Sequence, residues 1–200
     1  MIRIFIAEDQ RMLLGALGSL LDMEEDMQVI GQAVQGEEAL HAIVKLNPDV
    51  CLMDIEMPIM SGLEVAQELR ASKHAAKVIM LTTFAKPGYF ERAAKIGVNG
   101  YLLKDSSIDD LAEAIRSVMS GKKVFSPELM FDMMSEPNPL SAREMEILTL
   151  LAEGKSTTEV TKLLFLSSGT VRNYISEIMQ KLDAKSRMDA IHTAQEKGWI

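Results

Sequence analysis

The sequence predicts a doubly wound α/β domain on a five-stranded parallel sheet, followed by a small all-α domain of four helices that contains a helix–turn–helix. Three observations predict it. Five short apolar runs alternate with five amphipathic helical patterns up to residue 121. The runs are continuously apolar rather than alternating, the mark of strands covered on both faces. Beyond a proline-bearing break, "SEPNPLS", the pattern is purely helical.

The elements follow in order. "IRIFIA" (2–7) reads as a buried strand, and a helix over about 12–21 carries Leu13, Leu14, Leu17, Leu20 and Leu21 on one face. "MQVIGQA" (27–33) is the second strand, and the helix after it, 37–46, stops before Pro48. "DVCLMD" (49–54) is the third strand and "GLEVAQELR" (62–70) the third helix. "KVIMLTT" (77–83) is followed by a helix over 87–96 that ends at Gly97. "GYLLK" (100–104) and "IDDLAEAIRSVMSG" (108–121) complete the first domain, residues 1–120. Residues 121–139 read as a linker, with a short helix in "VFSPELMFDMM". In the second domain, 140–200, helices are expected over 141–154, 156–164, 167–182 and 186–198. Two of them open with Ser-x-x-Glu capping boxes, Ser141/Glu144 and Ser156/Glu159.

Composition narrows the function. The 200 residues are 48% hydrophobic, enough for real cores. The lone Cys51 sits in an apolar run, so there is no disulfide framework, which suits a cytoplasmic protein. No apolar run reaches membrane-spanning length, and no membrane partner is expected. The net charge of −8 lies wholly in residues 1–137, because the rest balances eight basic against eight acidic residues. An acidic front repels nucleic acid. A neutral back half binds DNA only weakly as a monomer.

The run "VCLMDIEMP" poses the functional question, since its buried strand ends on a carboxylate, Asp54. A turn or cap aspartate is one answer. A reactive group is the other, because doubly wound folds place their sites at the carboxyl ends of strands. The remaining strand ends favour the second answer. They carry Glu8 and Asp9, Thr82 and Thr83, and Lys104, all facing the same way in a parallel sheet. Clustered carboxylates raise one another's pKa unless a cation joins them, and an all-oxygen set suits Mg²⁺. A lysine and a hydroxyl beside that cation suit a phosphoryl group, and Asp54 can attack phosphorus to form an acyl phosphate.

"AED" (7–9), "DVCLMDIEMP" (49–58), "LTTF" (81–84) and "GYLLKD" (100–105) together resemble the receiver domain of response regulators, the flavodoxin/CheY-like fold. The resemblance implies roles. Glu8 and Asp9 match the metal-binding pair, Asp54 the phosphoacceptor, and Glu56 the position whose backbone carbonyl completes the Mg²⁺ shell. Thr82 matches the switch hydroxyl, Lys104 the phosphate-contacting lysine, and Tyr101 the rotating aromatic. Asp105 departs from the proline common after that lysine, so no cis peptide is expected there.

In the back half, residues 156–182 fit a helix–turn–helix whose second helix turns Val171, Ile175, Ile178 and Leu182 inward. Gly169, Thr170, Arg172, Asn173 and Ser176 lie opposite. Arg reads guanine and Asn adenine in a major groove, while Ser167, Thr170 and Lys185 are placed to hold phosphates. Periodicity alone leaves an ordinary solvated face equally open. "LSAREMEIL", "LLAEGKSTTEV" and "LSSGTVRNYISEIMQKLDAKSRMDAI" resemble the LuxR-type DNA-binding domain, which makes the whole similar to the NarL/FixJ response regulators. The resemblance implies a non-enzyme that a sensor histidine kinase phosphorylates on Asp54, the receiver itself catalysing phosphotransfer and dephosphorylation with Mg²⁺. It implies a homodimer when phosphorylated, double-stranded promoter DNA as target, and RNA polymerase as a further contact. Two receiver faces are candidates for pairing, helix one with helix five and helix four with strand five and helix five, and Leu111, Ile115 and Val118 are expected to line either. The rival readings are an aspartate-based phosphatase, a helical half that binds protein, and DNA binding independent of phosphorylation.

Overall fold

A computed structural model of the chain describes residues 1–83, 86–126 and 138–200. The chain divides into two compact units. In the first, β1 (Ile2–Ala7), β2 (Met27–Ala33), β3 (Val50–Asp54), β4 (Lys77–Thr82), β5 (Gly100–Leu103) and β6 (Val124–Phe125) form one sheet. Its order is β2-β1-β3-β4-β5-β6, with every neighbouring pair parallel. Helices α1 (Arg11–Leu21), α2 (Gly36–Leu46), α3 (Gly62–Ala71), α4 (Pro87–Ile96) and α5 (Ile108–Met119) make the crossovers.

The chain runs outward from β1 to β2 and then returns to β3 on the other side of β1. A crevice opens where the winding reverses, outside the carboxyl ends of β1 and β3. Register aligns those ends: Ala7 pairs with Met53, Asp54 with Leu81, and Thr82 with Leu103. Glu8, Asp54, Thr82 and Lys104 are therefore consecutive steps along one rim. Behind the rim, Ile4, Ile6, Leu52 and Ile79 fill the core, and all five residues of β3 are buried.

Three expectations need correction. The sheet has a sixth strand, short and inside the expected linker, so residues 124 and 125 belong to the sheet rather than to a helix. Val124 N donates to Asn99 O (3.1 Å) and Ser126 N to Tyr101 O (3.0 Å), which covers the otherwise open edge of β5. Residues 127–134 of the expected short helix lie outside the described residues. Leu111, Ile115 and Val118 pack into the sheet's own core and are not a dimer face. On α1, Leu14 and Leu21 are buried but Leu20 is 42% exposed, so the apolar stripe is wider than the sheet covers. The peptide bond before Asp105 is trans, as expected.

The second unit contains α6 (Ala142–Ala152), α7 (Thr157–Leu164), α8 (Ser168–Lys181) and α9 (Arg187–Glu196). Both expected capping boxes form, and Ser167 and Ser186 cap α8 and α9 by accepting from Thr170 N and Asp189 N. These caps satisfy amide donors that a helix start leaves without partners. Ile147, Val160, Val171, Ile178 and Trp199 build a separate core. The Glu144 side chain is almost wholly buried and takes a 2.7 Å bond from Lys181 Nζ. Burial alone would raise its pKa. The bonds from Lys181 and Ser141 outweigh burial and hold the carboxyl below its usual range. The last turn of α8 is thereby fixed to the first turn of α6. Thr161 spends its hydroxyl on Thr158 O (2.7 Å), as a helical threonine does.

Candidate functional site

β1 ends on Glu8, which is fully buried, and Asp9, which is exposed. β3 ends on Asp54, only 4% exposed. Carboxylate oxygens of these three residues lie within 4.8 Å of one another. Lys104, the first residue past β5, reaches across the rim: its Nζ is 2.8 Å from Glu8 Oε2 and 3.0 Å from Asp54 Oδ1. Thr82 ends β4 and is buried beside them. Tyr101 is fully buried on β5, its ring edge-on to Phe90 at 5.2 Å between centroids. Glu56 lies in the exposed part of the loop after β3.

Burial dominates the electrostatics. It pushes the Asp54 carboxyl up to about 6, with the Lys104 bond pulling down and the Glu8 charge pushing up. For Lys104, burial works to lower the pKa, but the bonds to Glu8 and Asp54 outweigh it and the ammonium is held above its usual range. One ammonium faces three carboxylates, which leaves the cluster short of positive charge. Glu8 Oε2 is buried and receives no hydrogen bond although the Lys104 Nζ is close. An all-oxygen donor set with an under-satisfied buried oxygen fits a hard divalent cation.

One residue that shapes this site escaped the sequence reading. Gly62, the first residue of α3, passes so close to β3 that a Cβ there would strike the Asp54 carbonyl oxygen and the Met53 side chain. Gly62 N also donates to Ile55 O (3.0 Å), which folds the loop back under the acid. The only local signal was a glycine directly after the Ser61 cap.

In the helical unit, α8 buries Val171 and Ile178 and half-buries Ile175 and Leu182. Its other face exposes Arg172, Asn173 and Ser176, with Ser167 and Lys185 exposed at the flanks and Thr170 half-buried. Ser167 and Thr170 share a 2.8 Å hydroxyl contact, and Ser176 donates to Arg172 O (3.1 Å). Among the described residues, no hydrogen bond ties the Arg172 guanidinium or the Asn173 side-chain amide to the protein surface.

A parallel sheet with an acid-and-lysine rim, followed by a capped helix–turn–helix, defines a class: a signal-receiving module joined to a DNA-binding module. Residues 4–116 match the family described as response regulator receiver domain, and residues 138–194 match bacterial regulatory proteins, luxR family. The chain belongs to the LuxR-type response regulators, transcriptional regulators of two-component systems. It is 70% identical to the uncharacterized transcriptional regulatory protein YvfU of Bacillus subtilis (strain 168) over 200 residues, all of both chains. It is 59% identical to the transcriptional regulatory protein DesR of the same organism, again over the whole of both chains. Among solved structures, a complex of the response regulator RcsB with DNA superposes with a TM-score of 0.66 at 25% identity, covering 98% of each chain. No helix among the described residues is long and apolar enough to cross a membrane.

Proposed function

We propose that this regulator is switched by phosphorylation of Asp54 and, once phosphorylated, dimerises and reads promoter DNA through α8. The observation that carries it is a buried Asp54 carboxylate 3.0 Å from the Lys104 ammonium, with Glu8 and Asp9 beside it. The proposed boundaries are a receiver of residues 1–120, a linker of 121–139 whose first residues lie on the sheet as β6, and a DNA-binding domain of 140–200. A sensor histidine kinase supplies the phosphoryl group. An Asp54 carboxylate oxygen attacks phosphorus, the nitrogen–phosphorus bond breaks, and the imidazole leaves with the electron pair and takes up a proton. The product is an acyl phosphate, and its hydrolysis resets the switch. Glu8, Asp9, Asp54 and the Glu56 backbone carbonyl would hold Mg²⁺. When bound, that ion neutralises charge on the phosphoryl oxygens.

Lys104 already stands within reach of Asp54 and can pair with a phosphoryl oxygen with little movement. Thr82, at the end of the neighbouring strand, is placed to donate its hydroxyl to the same group. Tyr101 follows Thr82, and two receiver conformations are re-weighted rather than a new one made. Dimerisation lets two copies of α8 engage two half-sites, which offsets the weak charge of one neutral domain. Such a protein works in the cytoplasm, where RNA polymerase is a further partner. Formation of one hydroxylamine-sensitive phosphoryl group per chain on Asp54, from a small-molecule donor with Mg²⁺, tests the core of the reading. A wild-type protein that stays unmodified under those conditions contradicts it.

The raised Asp54 pKa sets a pH-dependent response to the cation. Between the ordinary carboxyl value of 3.8 and about 6, the folded protein holds this proton more tightly than the unfolded chain. The stability contributed by this group therefore falls as pH rises through that window. A divalent cation on the cluster relieves the ionised state. Mg²⁺ should raise the receiver's melting midpoint by several degrees near pH 7.5 and by little near pH 5. Thermal unfolding at the two pH values measures this. Equal shifts at both would contradict it.

The DNA-facing residues should separate into two kinds. Arg172→Ala and Asn173→Ala should each cost about 1–3 kcal/mol against a selected site and relax preference at one base position. Lys185→Ala should weaken binding uniformly across sequences and reduce the salt slope by about one. Fluorescence titrations against matched and single-mismatch duplexes over a salt series distinguish the two.

A further inference from the structure

β6 is more than an edge cover. Its register sets Phe125 directly beside Tyr101. Phe90, on α4, bridges the two rings: its centroid is 5.2 Å from Tyr101 and 5.4 Å from Phe125, with interplanar angles of 62° and 59°. These are the tilted, edge-on geometries that aromatic rings favour at such distances. The backbone repeats the connection. Ser126 N donates to Tyr101 O at 3.0 Å, and Leu103 N donates to Ser126 Oγ at 3.4 Å. Leu103 is the residue immediately before Lys104. The two-residue strand is thus bonded to the segment that presents both the buried aromatic and the lysine of the phosphoryl site.

Tyr101 and Phe90 are buried, whereas Phe125 is only half-buried, at the outer end of the row. A ring that moves in a close-packed row forces its neighbour to move or leaves a gap. A strand of two residues has few bonds to resist such a push, so it belongs to the low-stability end of the fold. In sequence it is followed by the chain that runs on to the helical unit.

We propose that β6, through the row Tyr101–Phe90–Phe125, is the relay that carries a change at the phosphoryl site into the chain leading to the DNA-binding half. Phe125 is then a positioning residue: it touches neither phosphate nor DNA and acts through Tyr101. The relay rests on the reading that phosphorylation of Asp54 gates DNA binding. It extends that reading by naming the element that transmits the signal, and its warrant is the packed ring row together with the bonds that tie β6 to β5.

The test uses the full-length chain as wild type, Phe125→Ala and Phe125→Tyr. Each is treated with acetyl phosphate and Mg²⁺, its acyl phosphate is counted by mass spectrometry, and its affinity for a DNA fragment selected by the wild type is measured before and after. The wild type should gain about tenfold on phosphorylation, within the usual span of coupling between two sites. Phe125→Ala should load phosphate equally, bind like the unphosphorylated wild type beforehand, and gain less than about twofold, while Phe125→Tyr, which keeps the ring, gains as the wild type does. Phe125→Ala gaining in full overturns the relay and leaves phosphorylation gating intact. Equal loss in the Tyr variant also overturns it. A wild type that loads phosphate without any gain overturns the gating and the relay together. Hydrogen exchange on the unmutated protein decides the case if Phe125→Ala fails to load. Amides 124 and 126 should change in protection by about threefold or more on phosphorylation, and unchanged protection overturns the relay.

Discussion

Asp54→Ala should take up no phosphoryl group from any donor and should bind the selected DNA at the level of the unphosphorylated wild type, whatever the donor or Mg²⁺ concentration. The loss is of the whole response, about tenfold or more in affinity. The reason is geometric. Asp54 is the only carboxylate at the end of the central β3, and Lys104 Nζ lies 3.0 Å from its Oδ1. Glu8 is fully buried and held by the same lysine, and Asp9 is exposed at the edge, so neither presents an oxygen in the same place. The variant should not be less stable near neutral pH, since it loses a buried carboxyl whose ionised form burial disfavours. A gel that separates phosphorylated chains, run beside a DNA titration, measures both halves. Retained phosphorylation elsewhere on the chain with a retained gain in binding would contradict the assignment of Asp54.

Gly62→Ala should be among the most damaging single methyl groups in the receiver. Its Cβ would meet the Asp54 carbonyl oxygen, a backbone atom that cannot yield without dragging the Asp54 side chain with it. Overpacking of this kind costs about 3 kcal/mol, which in a domain of this size lowers the melting midpoint by about 10 °C. Phosphate uptake should fall with it, because the acid is displaced even in molecules that stay folded. Gly15→Ala is the control. On α1 nothing stands within 4 Å of the place its methyl group would take, and alanine favours the helix. Calorimetry and a phosphorylation time course on both variants check the pair, and equal melting points for the two would contradict the packing argument.

These two residues mark how far the sequence could be read. The acid ends of β1 and β3 were legible because continuous apolar runs announce parallel strands, and parallel strands must share a carboxyl edge. Once the topology was clear, Glu8, Asp9, Asp54, Thr82 and Lys104 had to meet, and they lie along one rim. Gly62 was not legible in the same way. Its constraint comes from a backbone oxygen eight positions earlier, which periodicity does not report. β6 was missed because two residues carry no alternation, and its bonds to Asn99 and Tyr101 span a whole helix. Leu111, Ile115 and Val118 show the limit of an amphipathic stripe. Spacing identifies an apolar face, but it does not say whether the chain's own sheet or a second copy covers it; here the sheet does. In the helical unit, the serine caps were plain from spacing, while the Glu144–Lys181 pair, 37 residues apart, emerged only from the packing of α6 against α8.

The measurement that bears most directly on the account is selection of genomic DNA fragments by the purified full-length protein, with and without a small-molecule phosphodonor and Mg²⁺. Phosphorylation-gated DNA binding predicts enrichment of one paired half-site with donor present and little without it. Equal enrichment in both conditions, or none in either, would contradict it.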